Sequence, residues 1–472
     1  MSESTVFLPL RQLGALIRAR QVSPVELAET FLDRLEALGP RLNAVVTLPR
    51  ERALEQARRA ERELAAGRYR GPLHGIPYGA KDLLATSGGI PTTWGAAPFR
   101  NQRFDHDATV IQKLEEAGAV LCAKLAMVEF AGGMGYRQPN ASFTGPGINP
   151  WNLEAWSGGS SSGSGSAVGA GLVPFAIGSE TWGSILSPAG YCGVAGLRPT
   201  YGRVIRHGAM ALCWTLDKLG PLALTADDCG LVLEAIAGRD PADPSASDRL
   251  FRYEAEDVRA RRFRFGVLRD ATAGVEDAVG ASFERSLDVL RQLGTVEEVV
   301  LPDLPYEAIT RTILHVEASS AFEDLIERGV LAELTAPEDH WAAYARDAIL
   351  AKDYVKALRL RAVVAREADR ALSRVDALVA PGRIATAPPL DREFRSALGG
   401  SGTPDVMGAV GNSGGLPAVI VPNGFGDRGL PTSLQFMGRA FEENTILAAA
   451  RAYQAATDWH TRHPQAWIEA EA

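Results

Sequence analysis

The sequence predicts an α/β domain, and three observations carry that prediction. Short apolar runs at 119–123, 263–268, 377–380, 417–421 and 432–437 read as buried strands. Apolar residues at helical spacing follow them, at 278–293 and 442–456. The 472 residues are 46% hydrophobic, enough for a sizeable core, and no fixed-period repeat divides them. Strands alternating with helices build a sheet covered by helices rather than a bundle or a sandwich. No domain boundary is evident, so one large unit is expected.

Each element has a local reason. Leu10, Leu13, Leu16 and Ile17 recur at helical spacing. Ser23-Pro24 is an N-cap followed by proline at the first helical position, opening a helix over 25–38 that stops before Pro40. A charged amphipathic helix follows over 50–66. Residues 1–66 are therefore expected to form a helical segment packed on the core. Asp107 is placed to cap a helix from Ala108 to Ala117, with Gly118 ending it before the strand at 119–123. The polar stretches 240–247 and 399–405 read as exposed connections.

Charge and cysteine usage exclude several classes. A net charge of −8 gives no electrostatic reason for nucleic-acid binding. Cys122, Cys192, Cys213 and Cys229 form no CxxC pair, so buried, reduced thiols are expected. The first ten residues lack a signal peptide's basic start and apolar stretch. The apolar run 167–177 is shorter than the about 20 residues of a membrane span. A soluble cytoplasmic protein, away from membranes, is the expectation. Neither metal nor cofactor is expected. Asp105-His106-Asp107 reads as a helix start, and Gly163, Gly165 and Gly169 have the wrong spacing for a dinucleotide fingerprint. Arg259, Arg261, Arg262 and Arg264 read as a solvated face.

The chemistry gathers in two glycine-rich loops and one lysine. The first loop is Ser157-Gly158-Gly159-Ser160-Ser161-Ser162-Gly163-Ser164-Gly165, and the second is Gly178-Ser179-Glu180-Thr181-Trp182-Gly183-Ser184-Ile185. Lys81 lies upstream, in Gly79-Ala80-Lys81-Asp82. Most serine-glycine tracts are linkers. This one lies between Trp156 and the apolar run 167–177, and a linker is seldom set in core-forming sequence. A serine hydroxyl needs a base to become a nucleophile. No histidine lies in a nucleophile-elbow context, but a lysine serves if burial lowers its pKa. A second serine can relay the proton, and glycines let backbone N–H groups converge on an oxyanion. Acyl transfer or hydrolysis follows.

The ordered motifs resemble the amidase signature family. The resemblance runs from about Leu73 to His460. It is densest through the second loop, Pro188-Ala189-Gly190-Tyr191-Cys192-Gly193-Val194 and Gly196-Leu197-Arg198-Pro199-Thr200-Tyr201-Gly202-Arg203. Leu216-Asp217-Lys218-Leu219-Gly220-Pro221 and Gly415-Leu416-Pro417-Ala418 extend it. The resemblance implies a single domain over 67–472, with a central mixed sheet covered by helices on both faces. It implies Ser184 as nucleophile, Ser160 on a cis peptide as bridging serine, and Lys81 as base. It also implies an oxyanion hole of backbone N–H groups at Thr181, Trp182, Gly183 and Ser184.

The chain departs from the family pattern beside the nucleophile. Trp182 stands where the family has glycine, and Leu186 where it has arginine, leaving the partner of Glu180 open. The oxyanion loop keeps its N–H if Trp182 holds a negative φ. Trp182, Leu186, Met134, Gly135 and Tyr136 are expected to line an apolar pocket, with Trp182 in the core as the alternative. The expected activity is a stand-alone amidase, monomeric or dimeric, acting on small apolar amides, anilides or carbamates. The alternative is the glutamine-hydrolysing component of a tRNA-dependent amidotransferase, which works with partner chains. That role wants an acid for the glutamine head group, at Asp405, and an arginine companion that the sequence does not reveal.

Overall fold

The computed structural model describes residues 3–135, 137–255, 257–344, 348–397 and 405–468. Its centre is an 11-stranded mixed sheet. The strands are β1 (Val45–Thr47), β2 (Pro77–Lys81), β3 (Val120–Leu125), β4 (Phe175–Glu180), β5 (Ala195–Arg198) and β6 (Lys218–Ala223). They continue as β7 (Phe263–Leu268), β8 (Gly294–Val299), β9 (Ala377–Pro381), β10 (Ala418–Phe425) and β11 (Pro431–Met437). Across the sheet the order is β1-β3-β2-β4-β6-β5-β10-β11-β9-β7-β8.

Parallel pairing forms two blocks, one toward each end of the sheet, with β1 antiparallel to β3 at one edge. β2 runs parallel to β3 and β4, and β7 runs parallel to β8 and β9. Antiparallel strands join the two blocks through β6, β5, β10 and β11. Helices cover both faces, and the central strands are buried along their whole length. The five strands expected from apolar runs are β3, β7, β9, β10 and β11. The other six are short, charged or interrupted by glycine and proline, as in Lys-Leu-Gly-Pro-Leu-Ala of β6.

The N-terminal segment is part of the same body. Its helices Leu10–Arg18, Pro24–Leu38 and Arg50–Ala65 share one core with the sheet, and its strand β1 pairs with β3. Ser23 caps as expected: its Oγ accepts the Val25 N–H at 3.0 Å, and Glu26 takes the Ser23 N–H at 3.2 Å.

Asp107 differs from expectation. The helix runs Thr109–Glu116 with Ala108 at its cap and no side-chain capping bond. The Asp107 carboxylate instead takes the Ser87 N–H at 2.7 Å and pairs with Arg52 at 2.6 Å. A charge-assisted pair with a guanidinium outcompetes a capping bond. The 240–247 connection is also less exposed than expected, because buried Asp243 accepts the Arg206 N–H at 2.8 Å. The stretch 398–404 lies outside the described residues. All four cysteines are buried. Among the described residues no helix is long and apolar enough to cross a membrane.

Candidate active site

Three neighbouring segments converge on Lys81. The lysine ends β2, which lies between the parallel strands β3 and β4. β4 carries Ser179 and Glu180 and runs directly into the loop holding Thr181, Trp182, Gly183 and Ser184. The first serine tract runs into a buried helix, Ser162–Gly169, that packs against β4. Gly178 permits this approach: a Cβ there would lie 2.9 Å from Ser161 Oγ.

Lys81 is fully buried and bonds to two hydroxyls. Its Nζ donates to Ser160 Oγ at 2.6 Å and to Ser179 Oγ at 2.9 Å. The adjacent carboxylate is engaged elsewhere: Asp82 pairs with buried Lys124 at 3.0 Å and accepts the Thr93 N–H at 2.9 Å. Burial holds the Lys81 pKa well below its ordinary 10.5, with Asp217 and Glu180 opposing at longer range. Desolvation disfavours the ammonium, so the site favours a neutral amine.

The two serine loops are tied through the backbone. Ser161 N–H donates to the Ser184 carbonyl at 3.3 Å, and Ser161 Oγ donates to the Ser179 carbonyl at 3.2 Å. The Gly159–Ser160 peptide is cis, as the resemblance implied. Val128 N–H donates to the Ser160 carbonyl at 3.0 Å. Ser184 is 7% exposed. Gly183 holds φ +85°, the left-handed region that suits glycine, whereas Trp182 is not among the residues with positive φ.

Glu180 finds its partner in Arg198. The pair lies at 3.0 Å with both side chains fully buried. The other carboxylate oxygen accepts the N–H groups of Ile185 and Leu186 at 2.9 and 3.0 Å, fixing the exit of the nucleophile loop. Burial opposes ionisation of Glu180, but Arg198 and Lys218 outweigh it and hold the carboxyl below its usual range. Lys218 faces Glu180 across β4 and β6, donates to Asn412 Oδ1 at 2.8 Å, and burial brings its pKa down to about 7. Thr181 Oγ1 donates to Asp217 at 2.6 Å, and burial raises the Asp217 carboxyl.

The residues expected to line an apolar pocket differ in their burial. Met134 and Leu186 are core residues, 1% and 3% exposed. Gly135 is part-exposed at φ +95°, and Tyr136 lies outside the described residues. Trp182 is half-buried, packs on the core edge, and donates its indole N–H to Asp405 Oδ2 at 2.9 Å. The guanidinium of Arg311 lies 5.4 Å from its ring centre. Asp405 also takes the Gly408 N–H at 2.8 Å, and it lines a cavity of about 650 Å³ with Tyr306, Glu307 and Ile384. A second cavity, of about 400 Å³, reaches Ser179, Thr181 and Asp217.

Sequence reasoning missed several of these residues. Ser179 carried a readable signal, since it stands two residues before Thr181 in the same motif. The Arg198 and Asp405 contacts had none, because their partners lie 18 and 223 residues away.

The family model described as Amidase matches residues 26–447, and the chain belongs to that family. It is 36% identical to the A component of the glutamyl-tRNA(Gln) amidotransferase of Moorella thermoacetica, over 97% of this chain and 98% of that protein. Among solved structures it resembles the native peptide amidase from Stenotrophomonas maltophilia, with a TM-score of 0.84 and 31% identity over 95% of this chain and 96% of that one. The A component of the glutamyl-tRNA(Gln) amidotransferase from Thermotoga maritima matches with a TM-score of 0.77 and 30% identity, over 92% of each chain.

Proposed function

We propose that this chain hydrolyses a carboxamide through an acyl-enzyme on Ser184, with Ser160 as proton relay and Lys81 as base. The observation that carries this reading is the buried Lys81 amine, 2.6 Å from Ser160 Oγ, whose charged form desolvation disfavours. Neutral Lys81 takes the Ser160 proton while Ser160 takes the Ser184 proton, and Ser184 Oγ attacks the amide carbon. Ile185 and Leu186 N–H groups are engaged by Glu180. The oxyanion is therefore held by the N–H groups at Thr181, Trp182, Gly183 and Ser184. The C–N bond breaks as the relay runs backward and protonates the leaving nitrogen. Water then repeats the cycle on the ester, releasing the acid and restoring Ser184.

For the substrate, the curated relatives favour glutamine, with ammonia passed to partner chains. Full-length likeness to the A components of these amidotransferases supports this reading over the stand-alone one. A second reading, a stand-alone amidase for apolar amides, anilides or carbamates, rests on Trp182. Its indole engages Asp405, the acid that the glutamine reading would need for the head group. The closer shape match to a peptide amidase points the same way.

The test is hydrolysis of glutamine, aliphatic amides, anilides and aryl carbamates by wild type and Ser184→Ala. Glutamine turnover that needs partner chains and vanishes in the mutant supports the first reading. Turnover of anilides or carbamates by the chain alone supports the second. Activity surviving in Ser184→Ala overturns both.

A further inference from the structure

Lys81 and Ser160 lie 79 residues apart on different segments, yet their side chains meet at 2.6 Å. The turn 128–131, shortly after β3, reaches both partners through the backbone. Asp82, the residue after Lys81, offers its carbonyl to the Trp94 N–H at 3.1 Å. The Trp94 carbonyl accepts the Phe130 N–H at 2.9 Å, and the Val128 N–H donates to the Ser160 carbonyl at 3.0 Å. Residues 128–130 therefore brace the strand end bearing Lys81 against the loop bearing Ser160.

The brace has a conformation that side chains disfavour. Phe130 and Ala131 have φ +49° and +55°, and Trp94 has φ +55°. Left-handed backbone at residues other than glycine persists only where the surroundings over-determine it. Two contacts do so here. The Phe130 ring is fully buried, with the rings of Phe99 and Phe322 centred 5.7 and 5.1 Å away. The Glu129 carboxylate is also fully buried, and its two oxygens accept the N–H groups of Thr335 at 2.9 Å and Ala336 at 3.0 Å. The first contact is core packing. The second buries a carboxylate, a cost that packing alone does not call for. A glutamine cannot replace it, because its amide offers an acceptor on one side only.

We infer that Glu129 is a positioning residue for the Lys81–Ser160 contact: its carboxylate pins the turn 128–131, and that turn holds Ser160 against Lys81. The inference rests on the relay proposed above.

A double-mutant cycle tests it, with p-nitrophenyl butyrate as probe. The maximal rate of Ser184 acylation and the half-saturating ester concentration are measured for wild type, Glu129→Gln, Ser160→Ala and the double variant. Glu129→Gln should lower the maximal rate at least ~10-fold, the scale of one hydrogen bond to a carboxylate, with half-saturation little changed. In the Ser160→Ala background the same substitution should change the rate by less than about 2-fold, because the contact it supports is already gone. Equal losses in the two backgrounds would assign Glu129 to general packing and overturn the inference. So would a Glu129→Gln rate within about 2-fold of wild type while Ser160→Ala is slow. A Ser160→Ala rate equal to wild type would overturn the relay, and this inference with it. Should Glu129→Gln not fold, Val128→Pro decides. Val128 has φ −62°, which suits proline, and the substitution removes the N–H that reaches Ser160. It must slow wild type at least ~10-fold and leave Ser160→Ala within about 2-fold, and equal losses in both overturn the inference.

Discussion

Trp182 and Asp405, 223 residues apart, are joined by a 2.9 Å hydrogen bond from indole Nε1 to carboxylate. The bond sets a bulky donor beside the nucleophile against an acid that lines the 650 Å³ cavity. Replacing Trp182 with glycine, the family residue, removes the ring and releases the acid. We expect Trp182→Gly to raise glutamine turnover relative to an anilide. The loss of one neutral-to-charged hydrogen bond sets the scale, about 10-fold. A uniform loss on all substrates, with a lowered Tm, would instead assign Trp182 to packing.

Lys81 predicts the pH profile. The base works unprotonated, so kcat/KM should rise with pH as Lys81 loses its proton, with a midpoint below the ordinary lysine value of 10.5. A rate that falls over that limb would rule the lysine out as base.

The same shift bears on stability. The folded state holds Lys81 neutral at pH values where the unfolded chain keeps the proton. That difference disfavours folding below 10.5 and fades as pH rises through 10.5. Lys81→Met should therefore abolish activity while leaving Tm at neutral pH equal to or above that of wild type. Differential scanning calorimetry checks this, and a lower Tm in the variant would contradict it.

Ser179→Ala removes one of two hydroxyls that orient the Lys81 amine. Net hydrogen bonds of this type contribute about 1 kcal/mol, so kcat should fall about 5- to 10-fold with KM little changed. Steady-state kinetics distinguish this from an indifferent serine, which would leave kcat unchanged.

Arg198→Ala leaves Glu180 buried without its guanidinium. Breaking a buried pair from one side costs about 3–5 kcal/mol. Denaturant unfolding should show a loss of that size, and Glu180→Gln in the Arg198→Ala background should recover part of it. A change under about 1 kcal/mol would mean that Lys218 alone neutralises Glu180.

The sequence by itself determined the class of fold, the family and the convergent loops. Apolar runs are local, so β3, β7, β9, β10 and β11 were legible, and so was the Ser23 cap, whose partners lie two and three residues away. Lys81, Ser160 and Ser184, the residues proposed for the relay, could be singled out from the sequence because their motifs are dense and ordered, and the structure joins the first two by a 2.6 Å hydrogen bond. The strand β6 was not, because glycine and proline interrupt its apolar run and only pairing with β4 and β5 makes it a strand. The tertiary structure alone decided which charges meet. Sheet order puts β6 between β4 and β5, and so brings Lys218 and Arg198 to Glu180. Asp107 turned from cap to ion pair for the same reason, since Arg52 reaches it from another helix. A carboxylate takes the strongest donor that the fold presents, and that donor is set by three-dimensional neighbours rather than by spacing along the chain.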